Sequence, residues 1–149
     1  MSACVVAEMA AWAIEQHPSD AVVAAGLDEA ERMAGWYGLG PGIMQPIRQG
    51  ASGTWVPHRA GMALDAVATV ASVMLVLREC RGLAAAMKHA VSLGGDTDTA
   101  AAIVGGILGA QAGDVEGEIP WLSSVILPEQ ETVEATAARL CGLRRSLHR

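Results

Sequence analysis

The chain has 149 residues, enough for one domain with a real core, and 52% of them are hydrophobic against 17% charged, which excludes a disordered polymer. The net charge is −6, from 16 acidic and 10 basic residues, and the basic ones are scattered except at the very end, so nucleic acid and anionic membranes are poor partners. There is no phenylalanine and one tyrosine, and the abundance of Ala, Gly, Val and Leu favours close-packed helices with small residues at their contacts.

Residues 2–16 read as a first helix, capped by Ser2, with Val5, Val6, Met9 and Ala13 on one face and His17-Pro18 as the stop. Ser19 then caps a second helix to about Ala34, whose inner stripe is Val22, Val23, Leu27 and Ala30. Between Gly35 and Pro57 glycine or proline recurs every few residues, which predicts a long loop, and such loops inside a domain are usually functional or mobile. A long third helix is expected over 58–79, with Leu64, Val67, Val70, Ala71, Met74 and Leu77 on one side, and a fourth over 83–91. The apolar run "AGMALDAVATVASVMLVL" is broken by Asp65, Thr69 and Ser72 and falls short of the ~20 apolar residues of a bilayer span. The N-terminus lacks a basic stretch and carries Glu8, so no signal peptide is read there. Three scattered cysteines, Cys4, Cys80 and Cys141, without a CxxC pair, predict reduced thiols in a cytoplasmic protein. A fifth helix runs from the aspartates to about Gly113. "GDVEGEIP" reads as a loop, a turn follows around Trp121, and an amphipathic helix closes the chain, acids first and arginines last as the helix dipole prefers. No strand pattern appears, so the expectation is an all-α, compact orthogonal helical domain over residues 1–149, with no repeat and no boundary.

The stretch that carries chemistry is "SLGGDTDTAAAIVGGILGAQAG", residues 92–113. Residues two apart on a helix point ~200° away from each other, whereas in an extended segment they share a side. Asp96 and Asp98 therefore serve one site only if Gly94 and Gly95 feed an extended turn into a helix starting near Asp98 or Thr99. Two carboxylates and the Thr99 hydroxyl would then converge, an all-oxygen set suited to Mg²⁺ or Mn²⁺. An EF-hand is disfavoured, because Ala100 and Ala101 stand where a further ligand and a glycine are needed. Spacing alone also allows a helix cap at Asp98 or Thr97 with Asp96 in a turn. Gly105, Gly106 and Gly109 each cost ~1 kcal/mol against alanine in a helix, which predicts close backbone approach and a central helix. Gly53, Trp55 and His58, around the long loop, join Gly94 and Gly95 as candidate substrate contacts. Trp36, Tyr37 and Trp55 are aromatics on which a base could stack, although core anchoring is the commoner role. No histidine pair has metal spacing.

"AVSLGGDTDTAAAIVGGILGA" resembles the C-terminal signature of the ADP-ribosylglycohydrolase family, all-α enzymes with a dinuclear magnesium centre that cleave ADP-ribose from proteins or small acceptors. "GASGTWV" resembles the family's G-x-G-Y-V segment, and "EIPW" the proline-containing turn after the signature helix. The resemblance implies that Asp96 and Asp98 are metal ligands, Asp98 bridging the two ions, with Thr99 adding its hydroxyl. It also implies an ADP-ribose-like ligand or ADP-ribosylated substrate. Family members are roughly twice as long, and their N-terminal half carries a glutamate and a Thr-Asp-Asp segment that complete the centre. Neither has a counterpart in this sequence, which leaves the catalytic residues unassigned. A single bound ion, and a complementing N-terminal half chain or a homo-oligomer, are accordingly expected. The alternative is a non-catalytic half-domain that keeps affinity for ADP-ribose or a nucleotide, or serves association.

Overall fold

The computed structural model describes residues 1–57, 65–112, 114–126 and 129–147. Its elements in chain order are α1 (Ser2–Ile14), α2 (Ser19–Tyr37), α3 (Pro41–Ser52), α4 (Ala66–Glu79), α5 (Leu83–Ser92), α6 (Thr97–Gln111), the single turn α7 (Val115–Glu118), a 3-10 turn (Leu122–Ser124) and α8 (Gln130–Leu147). No β-strand occurs among the described residues, so the fold is all-α. Residues 1–119 and 120–149 form two compact units, a division that composition does not announce. In the second unit the acidic first turn of α8 precedes Arg139 and Arg144, the order the dipole favours.

The first unit is organised around α4. Every residue from Thr69 to Leu77 is buried, and the helix packs against α1, α2, α3, α5 and α6. A helix apolar on all sides is a core helix rather than a one-sided stripe. The sequence reading made α6 the central helix; the structure gives that place to α4. Residues 58–64, the predicted beginning of this helix, lie outside the described residues.

Both serines chosen as caps are displaced by one residue. Met1 holds the N-cap position of α1 and Pro18 that of α2, neither with a side-chain cap. Proline is pre-set for such a place, and Ser19 instead sits in the first turn, its hydroxyl 3.5 Å from Gln111 Oε1. Along α1 the buried residues are Val5, Met9 and Ala13, while Val6 is half-buried. The stripe of α2 holds except at half-buried Leu27, and the helix continues to Tyr37, where Gly38 closes it in the left-handed conformation (φ 62°).

The predicted loop over 35–57 contains a 12-residue helix, α3. Pro41 follows Gly40 at the first helical position, where its missing N–H costs nothing. Pro46 does forfeit an internal bond, yet Met44, Ile47, Gly50 and Ala51 are buried against the neighbouring helices, and that burial outweighs the break. The 3–4 spacing of those four residues is a helical signal, and counting glycines and prolines hid it. In "GDVEGEIP", similarly, Asp114 accepts from the Gly117 amide at 2.9 Å and sets up the single turn α7 where a loop was expected.

Two ties between elements yield measurable expectations. Arg48 donates to both oxygens of Glu31, at 2.8 and 3.1 Å, joining α3 to α2, and this bonding holds the Glu31 carboxyl below its ordinary range. A carboxyl depressed in the folded state stabilises it above the unfolded titration range, and that contribution disappears as pH falls through the folded value. Glu31→Gln should lower Tm slightly at pH 7, and the difference from the unsubstituted chain should close below about pH 4 in a thermal melt series. The Trp55 indole N–H donates to the hydroxyl of fully buried Ser72 at 3.1 Å. Ser72→Ala leaves that N–H unpaired, with an expected loss of ~1–3 kcal/mol in chemical denaturation.

Candidate functional site

The signature stretch folds differently from the expected extended turn. Gly94 and Gly95 do take left-handed conformations, φ 74° and 77°, and bring the chain round after α5. The helix then starts at Thr97, earlier than expected, with Asp96 in the N-cap position and Asp98 inside the first turn. Asp96 accepts no cap bond from the helix backbone; its Oδ1 accepts from Thr99 Oγ1 at 2.9 Å. The proposed cap at Asp98 or Thr97 is likewise not observed. The carboxyl of Asp98 is held below its ordinary range, first by the backbone amide of Thr99 and then by hydrogen bonding with the Asp96 carboxyl. Asp96 thus stands just before the helix and Asp98 just inside it. Asp98 and Thr99 are exposed, and Asp96 is half-buried.

Asp96 and Thr99 border a cavity of about 490 Å³ between the N-terminal ends of α1, α4 and α6. Val6, Val70 and Ile103 give it apolar walls. Its remaining polar groups are Ser2, Thr69 and Asp65, and sequence reading assigned a role in the site to none of these three. Asp65 registered there only as a charge interrupting an apolar run, yet its position directly before a β-branched helical stretch is a cap signal, and its Oδ1 accepts from the Val67 amide at 3.1 Å. Three helix N-termini, those of α1, α4 and α6, therefore meet at one cavity.

Gly53, Trp55, Trp36 and Tyr37 are not among the residues that line this cavity. Gly53 ends α3 in the left-handed conformation (φ 78°), a turn position that glycine suits whatever the ligand. Trp55 spends its N–H on Ser72 inside the protein. His58 lies outside the described residues. Trp36 and Tyr37 are exposed at the end of α2, their rings stacked at 6.1 Å, and Tyr37 borders a second depression of about 670 Å³ that shares Ser2 and Ala66 with the first.

The family model for ADP-ribosylglycohydrolase matches residues 1–148, nearly the whole length of this sequence. The chain belongs to that family. No curated protein and no solved structure matched. Membership gives a glycohydrolase-like protein with an all-α fold, and it bears on the donor set at α6. Two carboxylates and a hydroxyl offer only hard oxygen donors, the chemistry a magnesium-like ion takes. Among the described residues no three His, Cys, Asp or Glu side chains lie close enough together to hold a metal by themselves.

Proposed function

We propose that this protein takes part in metal-dependent hydrolysis of an ADP-ribosyl glycosidic bond, with Asp96, Asp98 and Thr99 holding Mg²⁺ or Mn²⁺ and a complementing chain or a second copy supplying the rest of the centre. The observation that carries the reading is the Asp96 carboxylate held by the Thr99 hydroxyl on the cavity wall, with Asp98 between them in the first turn of α6, in a chain of this family. Asp98 stays ionised at neutral pH because amide donors face it, so no proton has to leave before a cation arrives. Asp96 is pre-set by the Thr99 hydroxyl, and the glycine turn behind it keeps side chains out of the approach. When bound, the ion supplies charge that orients hydroxyl ligands and lowers the pKa of water. The apolar walls exclude bulk water from whatever docks there, which strengthens each hydrogen bond inside. In this reading the ligand is ADP-ribose or an ADP-ribosylated acceptor.

A second reading is a non-catalytic half-domain that keeps the affinity and performs no turnover. It is favoured by the absence, among the described residues, of a three-carboxylate group able to hold a metal unaided. Calorimetric titration of the chain with Mg²⁺ and Mn²⁺, with and without ADP-ribose, tests the centre itself. Saturable uptake is the expected result, and a flat isotherm for both ions would refute the cation centre. Release of ADP-ribose from a modified protein, measured with and without an N-terminal half carrying a Thr-Asp-Asp segment, then separates hydrolase from binding module.

A further inference from the structure

We infer that Asp65 is a ligand-positioning residue of the cavity, accepting hydrogen bonds from hydroxyl groups of the ribosyl portion of the ligand; the inference rests on the ADP-ribose reading above. Asp65 comes from a different element than Asp96 and Thr99, yet all three border the same cavity. It is fixed twice. Its Oδ1 accepts from the Val67 amide at 3.1 Å, and its backbone carbonyl accepts from the Thr69 hydroxyl at 3.0 Å, with Thr69 itself only 5% exposed. A group held in this way loses little freedom when it binds, which is what positioning requires.

An ionised carboxylate has about four acceptor sites, and the cap bond engages one of them. Among the described residues, the cavity is lined by no lysine, arginine or histidine. A carboxylate only accepts, so a group docking against Asp65 must donate, and the Asp96 carboxylate on the same wall favours donors as well. The other polar groups on the wall are hydroxyls: those of Thr69 and Thr99 already donate within the protein and can accept from a polyol, and that of Ser2 can do either. Apolar Val6, Val70 and Ile103 suit the carbon frame of a sugar between those contacts.

The test is titration of ADP-ribose in the presence of Mg²⁺ into the full chain and its Asp65→Asn, Asp65→Ser and Asp65→Ala variants, beside a separate Mg²⁺ titration and a thermal melt. Asparagine and serine cap helices about as well as aspartate, so both variants keep the start of α4 while removing the charge. Asp65→Asn should raise the Kd for ADP-ribose about tenfold, and Asp65→Ser further, with Tm and the Mg²⁺ isotherm unchanged. Asp65→Ala should lose affinity and Tm together. Equal affinity in the unsubstituted chain and the first two variants overturns the inference. So does loss confined to Asp65→Ala, in step with its Tm, because only the cap would then matter. An unsubstituted chain that takes up Mg²⁺ but no ADP-ribose overturns it and leaves the cation centre standing. One that binds ADP-ribose with the expected dependence on Asp65 but no cation removes the centre and leaves this inference standing.

Discussion

Gly50→Ala is expected to destabilise the first unit by about 2–3 kcal/mol, read as a lower midpoint in urea or guanidinium with an unchanged slope. A Cβ at residue 50 would run into the carbonyl oxygen of Ala71 and lie 2.7 Å from its Cα, so it meets backbone where α3 crosses α4. Nothing there can rotate aside, and α3 would have to lift off the central helix. Gly26→Ala is the milder comparison. Its Cβ meets Met9 and Met74, whose thioether chains can take other rotamers, so a loss of ~1 kcal/mol is expected. Gly106→Ala has the opposite sign. Nothing lies within 4 Å of a Cβ at that exposed position, and replacing a helical glycine should add up to about 1 kcal/mol.

That ordering reverses what the glycine-rich α6 implies on paper. Gly105, Gly106 and Gly109 predict a close-packed helix. In the structure Gly106 and Gly109 face open space, and Gly105 meets only the Met87 side chain at ordinary distance. The glycine that permits a close crossing is Gly50, in the stretch that reads as a loop. Composition identifies a glycine but not its neighbour, because the neighbour is fixed by tertiary packing. Helices with an apolar period and a clear stop were legible, as at Val5, Met9 and Ala13 before His17-Pro18. So was α5, bounded by Gly82 and Leu93. The α3 helix was not, since local propensity argued against it and burial of Met44 and Ile47 decided the matter. At the site, the aspartates stood out by their pattern, and Gly94 and Gly95 by their chemistry. Asp65 did not, because its approach to Asp96 depends on two helices whose N-termini are 31 residues apart in the chain (Ala66 to Thr97).

The double variant Asp96→Asn/Asp98→Asn should abolish saturable Mg²⁺ and Mn²⁺ uptake, and each single variant should weaken it tenfold or more. Asparagine keeps the shape of each side chain and is itself favoured before and within a first helical turn, so α6 should start where it does now. What it removes is charge, and a hard divalent ion repays its dehydration only against ionised oxygens. The two positions are not equivalent. Asp98 is fully exposed and held ionised by amide donors, whereas Asp96 is half-buried and tied to Thr99. Asp96→Asn also replaces one of the two oxygens able to accept from Thr99 with a donor, so the hydroxyl loses its anchor in one orientation of the amide. Asp98→Asn leaves that pair intact. The Asp96 substitution should therefore carry the larger loss of affinity, and Thr99→Val should resemble it more than Asp98→Asn does. A charge-matched control, Asp28→Asn/Glu116→Gln, removes two exposed carboxylates elsewhere and should leave the isotherm unchanged. If the control and the site variant weakened uptake equally, the cation would be responding to the overall charge of −6 rather than to a centre. If neither variant changed a flat isotherm, Asp96 and Asp98 would serve only the start of α6. Circular dichroism separates both outcomes from unfolding, because the site residues lie at the edge of the core and not in it.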